Sequence, residues 1–422
     1  MAEATAGKIV LTTADGVPLK RKLRQTQQLM KRRAFTLVLP LLAFIGITFV
    51  WPIALMVYRG IDNPVLSEFM PNAAEAVLDW DSSQSELPPE EVFAIVARDL
   101  VQARKDKTVG KVATRLNYEL PGSRSLITSS ARKLSRVEDG PWMEAMLKAD
   151  SDWGKRETWA ALQRIAPRYT GSFYLAALDM TYDENGAIVS QPENRQIYVT
   201  LFVRTLWVSL FITLACALLA YPISYLMATQ PLRISNLLMI LVLLPFWTSL
   251  LVRTTSWIVL LQTEGVLNDI MVALGLIGDE NRIQMIYNMT GTIVAMVHIL
   301  LPFMVLPLFS VMKTISPSYV RAAQSLGATP ARAFWKVYFP QTVPGIGAGS
   351  ILVFILAIGY YITPALVGGR TGQLISNFIA FHMQKSLNWG LAAALGGILL
   401  FGVLALYWLY NRLVGIDNMK LG

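Results

Sequence analysis

A run of 25 residues without a charge, Ala34–Tyr58, is the first constraint on how this chain folds, and Thr205–Thr229 is a second run of the same length. As helix, about 20 apolar residues cross the roughly 30 Å hydrocarbon core of a bilayer. Four more segments reach that length. They are Ile234–Leu261, interrupted once by Arg253, then Met289–Met312, Ile346–Val367 and Leu391–Tyr410. A water-soluble fold has little use for six such helices, and the expectation is a membrane protein. The charged fraction, 15%, fits that reading, since soluble domains carry about 25%. The first run is too long for a cleavable leader, and no small-residue cleavage pattern follows it.

Basic residues set the expected orientation. Lys8, Lys20, Arg21, Lys22, Arg24, Lys31, Arg32 and Arg33 precede Ala34, against only Glu3 and Asp15. Segment Lys313–Gly345 holds Lys313, Arg321, Arg332 and Lys336 and no acid, whereas Gln262–Asn288 holds Glu264, Asp269, Asp279 and Glu280 against Arg282. Loops rich in Lys and Arg stay in the cytoplasm. Both termini and Lys313–Gly345 are therefore expected inside, and Gln262–Asn288 and Gly60–Thr200 outside. The net charge of +9 is a product of this bias, so no nucleic-acid partner is implied.

Gly60–Thr200 has 16 basic and 21 acidic residues and is long enough for a small domain. Pro88-Pro89-Glu90-Glu91 reads as a helix start, with Val92, Val96 and Leu100 on one face. Further helices are expected near 111–119, 124–137, 141–148 and 156–165. Asp183-Glu184-Asn185-Gly186 between two short apolar runs predicts a hairpin, and Asp15-Gly16 a second one within Ile9–Leu19. The lone Cys216 sits in an apolar run and permits no disulfide within one chain. No metal cluster, nucleophile constellation or phosphate loop stands out.

The inside loop is more informative. Arg321-Ala322-Ala323-Gln324-Ser325-Leu326-Gly327-Ala328-Thr329-Pro330 reads as a short helix, a Gly stop and a Pro-started second helix, which Pro340 then ends. Ala322 and Ala323 allow close approach to the first helix, and Phe334, Val337 and Tyr338 form an apolar face on the second.

This loop resembles the signature of binding-protein-dependent ABC importer permeases. Ala322, Ala323, Gly327, Val337 and Pro340 match in register, with Phe339 at the usual Leu position and Arg321 where the family has Glu. The resemblance runs from about Ile197 to the C-terminus. Leu244-Pro245-Phe246-Trp247-Thr248-Ser249-Leu250-Leu251-Val252-Arg253, followed by Glu264-Gly265-Val266-Leu267-Asn268, is similar to the spermidine/putrescine-type permeases. It implies an all-α integral membrane protein with six transmembrane helices, of the type I importer kind, and a large, mainly helical extracytoplasmic insertion between helices 1 and 2. The expected division is a cytoplasmic tail (1–33), a first span (34–58), a periplasmic insertion (59–200) and a permease core (201–422) with coupling loop 313–345.

The resemblance further implies partners: a dimer of ABC ATPases, a second permease subunit of different sequence, a periplasmic substrate-binding protein, and the lipid bilayer of the bacterial inner membrane. ATP and Mg would belong to the ATPase, because this chain lacks a Gly-x-x-x-x-Gly-Lys-Ser/Thr loop. Loop residues Arg321, Ala322, Ala323, Gly327, Ala328, Phe334, Val337 and Pro340 would dock the ATPase. The implied cargo is a small polar solute such as a polyamine, an opine or a related amine.

Polar residues within spans invite a functional reading. Arg253 either lines the pathway or snorkels to the outer face, and His298 either packs helices or meets the solute. Trp247, Trp257, Tyr360 and Tyr361 form either a stacking surface or interfacial anchors. No Asp or Glu lies deep in any span. Two rivals remain at this level. A secondary transporter would want broken helices or midplane ionisable groups, which the sequence does not reveal. A membrane-anchored receptor or assembly subunit would work through the insertion.

Overall fold

The computed structural model describes residues 19–81, 85–138, 140–183 and 186–414. The hairpin expected within Ile9–Leu19 lies outside these residues, as do Glu184 and Asn185 of the second hairpin. The chain divides into two units, Met1–Tyr58 and Arg59–Gly422.

In the first unit, helix Leu19–Ile45 passes through a π turn at Gly46–Val50 into helix Trp51–Arg59. The Trp51 N–H reaches back to the Gly46 carbonyl, one residue further than α geometry allows. Pro52 follows at once. A wide turn placed just ahead of a proline spares the ring a clash with the carbonyl four residues back.

The second unit opens with eight helices and a hairpin between Asp62 and Arg195 among its described residues. Helix Glu90–Lys105 has Glu90 and Glu91 in its first turn and Arg104 and Lys105 in its last, the arrangement that the helix dipole favours. Its Val92, Phe93, Val96, Ala97 and Leu100 face inward. They meet Trp153 and Trp159, which are both fully buried. The Phe93 and Trp159 rings lie 4.6 Å apart edge to face. Trp159 Nε1 donates to the Trp153 carbonyl at 2.8 Å, and Trp153 Nε1 to Ser130 Oγ at 2.8 Å. One continuous apolar cluster runs from Leu66 to Ala166. The hairpin pairs Met180–Tyr182 with Ile188–Ser190, antiparallel.

From Tyr198 onward the packing changes. Helices Tyr198–Thr229, Met289–Thr314 and Phe339–Gly359 form the centre, and small or hydroxylated residues let them approach. A Cβ on Gly349 would lie 2.6 Å from Met304 Sδ and 3.1 Å from its carbonyl. Ser224 Oγ donates to the Val305 carbonyl at 3.2 Å, and Cys216 is buried against the Val297 carbonyl. Among the described residues five helices are long and apolar enough to cross a membrane, Thr26–Arg59, Tyr198–Thr229, Met289–Thr314, Pro330–Gly359 and Trp389–Arg412, or six if the bent pair Leu232–Trp247 and Leu250–Ala273 counts as one span.

Three expectations need correction. Ile234–Leu261 is not one helix: Leu232–Trp247 and Leu250–Ala273 meet at 98° across Thr248-Ser249. Ile346–Val367 breaks at Tyr360-Tyr361, with helix Ile362–Val367 beyond. Pro340 ends nothing. A π turn at Phe334–Tyr338, with the Phe339 N–H bonded to the Phe334 carbonyl, carries the helix through it to Gly359. Broken helices, which the sequence did not reveal, are therefore a feature of this fold.

Candidate functional site

The loop between Thr314 and Phe339 is built on its caps. Ser316 starts helix Pro317–Ser325 by accepting from the Ser318 N–H. At its end, the Gly327 N–H bonds to the Gln324 carbonyl at 2.9 Å and the Ala328 N–H to the Ala323 carbonyl at 3.0 Å. This paired closure needs a left-handed residue, and Gly327 supplies it with φ +88°. Thr329 then caps Pro330–Ala333 by accepting from the Arg332 N–H at 3.3 Å.

Arg321 and Ala322 are exposed, Ala323 and Ala328 half-buried, and Leu326 is 89% exposed. Among the described residues Arg321 makes no ion pair. It borders a groove of about 550 Å3 with Lys313, Gln324, Pro330 and Phe334.

The second helix of the loop is bolted to the core by aromatic rings. Phe334 lies 6.1 Å from Tyr221 and 5.8 Å from Tyr225, both edge-on, and Tyr225 lies 5.4 Å from Tyr338. Val337 is half-buried beside them. Tyr221 and Tyr225 escaped sequence reasoning, although their four-residue spacing at the end of an apolar helix was visible. Helix Pro330–Gly359 runs without a break from this loop into the core.

The segments after the two helix breaks, Leu250–Leu261 and Ile362–Val367, both pack against Met289–Thr314. Ser249 caps the segment after the first break, accepting from the Val252 N–H at 3.2 Å. Arg253 follows in the first turn, its guanidinium 5.9 Å from the Phe246 ring centre and its Nε without a hydrogen-bond partner. Arg253 lies within electrostatic reach of His298 and Tyr360. Trp257 Nε1 donates to His298 Nδ1 at 3.0 Å, so His298 makes a helix-to-helix bond. Thr254 and Thr363 hydroxyls join the segments after the two breaks at 3.3 Å.

At the second break, backbone carbonyls freed by the lost helix geometry find side chains on Ile375–Gln384. Ser376 Oγ donates to the Tyr360 carbonyl at 2.9 Å, and Asn377 Nδ2 to the Tyr361 carbonyl at 2.8 Å. Non-helical backbone at membrane depth is tolerated only where protein or a water-lined cavity satisfies it. Arg253, His298, Trp257 and Tyr360 thus come together. Trp247 stands apart at 74% exposure, with no ring partner among the described residues. Sequence reasoning missed Ser376 and Asn377 because their partners are backbone atoms of another element.

Residues 197–414 match the family described as "Binding-protein-dependent transport system inner membrane component". The spermidine/putrescine transport system permease protein PotB of Escherichia coli (strain K12) is 34% identical over 221 residues, 52% of this chain and 80% of that protein. Its namesake in Haemophilus influenzae is 33% identical over 225 residues, 52% of this chain and 78% of that protein. The Escherichia coli inner membrane ABC transporter permease protein YdcU is 31% identical over 228 residues, 51% and 71% of the two chains. A solved bacterial ABC transporter involved in import of the acidic polysaccharide alginate aligns with TM-score 0.44 at 18% identity, covering 55% of this chain and 81% of that one. Residues 62–196 precede the family match. With the geometry of loop 316–339 and this match in hand, the chain belongs to the inner membrane components of binding-protein-dependent transport systems and is a PotB-like permease subunit of an ABC importer.

Proposed function

We propose that the permease carries a small amine-type solute, of the polyamine class named for its relatives, from a periplasmic binding protein into the cytoplasm. The observation that carries the mechanism is the loop 316–339: a rigid, exposed turn fixed by aromatic packing to a helix that continues to the break at Tyr360-Tyr361. Two such subunits, this one and a second permease of different sequence, dock one loop each into an ATPase dimer that holds ATP and Mg. Closure of the ATPases drives the loops, and the spans rock between inward- and outward-facing states.

Helices Tyr198–Thr229, Met289–Thr314, Phe339–Gly359 and Trp389–Val414 contain no Asp or Glu. In this subunit an amine therefore meets aromatic faces rather than a carboxylate, and cation–π contact with Trp257 or Tyr360 is the available attraction.

Gly327→Pro tests the coupling role. Proline holds φ near −65°, against the +88° seen, so the turn cannot close. Membrane insertion is expected to survive, while transport is lost and ATP hydrolysis no longer follows solute delivery. Normal transport by this variant would sink the assignment. Orientation is tested separately. In everted and right-side-out vesicles, a cysteine replacing the exposed Ser125 is expected to react with an impermeant reagent from the periplasmic side only. Reaction confined to the cytoplasmic side reverses the topology.

A further inference from the structure

The helix Tyr198–Thr229 begins without a local cap. Its N-cap residue is Ile197, whose side chain cannot accept a hydrogen bond, and the first N–H groups of any helix need acceptors. They find one in Asp179, which lies 18 residues upstream in the region before the family match. Asp179 Oδ1 accepts from the N–H groups of Ile197 and Tyr198 at 3.1 and 3.0 Å, and Oδ2 accepts from that of Val199 at 2.8 Å. Asp179 is 6% exposed and sits at φ +58°, a left-handed conformation that Asp tolerates better than most residues. Its own backbone is held by the preceding helix and the hairpin: its N–H donates to Ala176, and its carbonyl accepts from Gln191.

A second strap runs beside the first. The Tyr198 hydroxyl bonds His382 Nε2 at 2.9 Å, His382 Nδ1 bonds Ser386 Oγ at 2.8 Å, and the Ser386 carbonyl accepts from Tyr118 Oη at 2.8 Å. His382 lies outside the candidate spans, and burial pushes its imidazole down to about 4. It is therefore neutral, with one ring nitrogen donating and the other accepting. Tyr118 belongs to helix Val109–Glu119, which is embedded in the apolar cluster of the first region. At a third point, Phe173 lies so close to Gly390 that a Cβ there would sit 2.5 Å from its ring.

The region before residue 197 thus grips the start of a 32-residue helix. That helix is about 48 Å long, and its other end holds Phe334 and Tyr338 through Tyr221 and Tyr225. A Ser or Asp at position 197 could cap the helix locally and make the reach from Asp179 unnecessary. A buried carboxylate reaching across is the more demanding solution, and it ties them together.

We propose that Asp179 is a positioning residue for transport. Its carboxylate transmits binding-protein docking on residues 62–196 to the helix Tyr198–Thr229 and so to the coupling loop. This rests on the import reading above and on the further premise that the binding protein docks on residues 62–196.

The test uses the full complex with its ATPase, second permease and binding protein in lipid nanodiscs, comparing wild type with Asp179→Ala, Asp179→Asn and Tyr198→Phe. In Asp179→Ala, the maximal stimulation of ATP hydrolysis by binding protein is expected to fall about fivefold or more. The binding-protein concentration for half-stimulation and the unstimulated rate should stay unchanged. Asp179→Asn keeps an acceptor and should recover most of the effect, while Tyr198→Phe, lacking only the hydroxyl, should show a smaller loss. Full stimulation in Asp179→Ala overturns the proposal, and so does a raised half-stimulation concentration at unchanged maximum, which makes Asp179 a mere shaper of the docking surface. Should Asp179→Ala fail to assemble, an undiminished maximum in Tyr198→Phe overturns it, because a partial loss is expected there. A wild type that no binding protein stimulates overturns the import reading itself, and this proposal with it.

Discussion

Residues 65–166 and 198–414 solve opposite packing problems. The first region hides its largest side chains: Trp153, Trp159, Phe93 and Leu66 are fully buried, while most of its charges stand outside, the buried Asp99 and Arg115 excepted. The second does the reverse. It displays Trp207, Leu214, Leu218, Leu237 and Phe401 at more than half exposure and buries Thr205, Ser209, Ser224, Thr292 and Thr342. Between helices in lipid there is little hydrophobic drive, so close approach and hydroxyl hydrogen bonds take its place. The same chain is thus written for two solvents, and the change occurs around Ile197.

The largest expected effect comes from emptying the first core. Trp159→Ala should destabilise residues 65–166 by about 3–5 kcal/mol, read as accelerated proteolysis of that region in the purified chain. Retention of wild-type protease resistance would mean that the region is not held by its own core.

A paired substitution separates the solvents directly. Leu214 is 58% exposed and Leu78 50% exposed, so in water Arg at either position would be nearly neutral, within about 0.5 kcal/mol. If 214 faces hydrocarbon, Leu214→Arg should cost about 2.5–3.5 kcal/mol of insertion free energy. A glycosylation-mapping assay of membrane insertion measures this, with thermal unfolding as the readout for Leu78→Arg. Equal, small effects at both positions would erase the distinction.

The smallest effect belongs to the loop, whose surface follows the rules of water. Arg321→Glu should weaken ATPase association by about 1 kcal/mol or less, the scale of a partly exposed pair. Titration of ATPase into nanodisc-bound permease reads it, and a much larger loss would place Arg321 in a buried contact.

Legibility in the sequence follows the same division. Spans such as Thr205–Thr229 and Met289–Met312 were visible because uncharged length is itself the physical requirement. Arg156–Ile165 was visible because its apolar stripe and charged face obey a 3.6-residue period. The turn at Gly327 was visible too, since a glycine before Thr-Pro is local chemistry. The breaks were legible only as prolines, Pro245 and Pro364 beside Pro302 and Pro307, that either kink a span or cause a local irregularity. Leu244–Leu261 stays apolar through Thr248-Ser249, so hydropathy ran straight across a 98° bend, although Ser249 is a capping residue and Pro245 a helix breaker. At Tyr360-Tyr361 the bonds that hold the break come from Ser376 and Asn377, and no local pattern announces them. Pro340 misled for the opposite reason: a single proline was read as an ending, while the turn that absorbs it depends on the backbone before it.

That wide turn makes the length of the segment a counted quantity. A π turn is one surplus residue absorbed in place, leaving the flanking turns nearly in phase. Deleting a residue from Phe334–Tyr338 would therefore keep the faces of Ala333 and Thr342 aligned, but it would bring the Pro340 ring against the carbonyl four residues back. Deleting one anywhere from Thr342 to Ile358 would instead rotate every later side chain by about 100° and turn the second break away from Ser376. The permease should accept many substitutions along this helix and almost no change in its residue count, and length variation should concentrate in the turns at its ends.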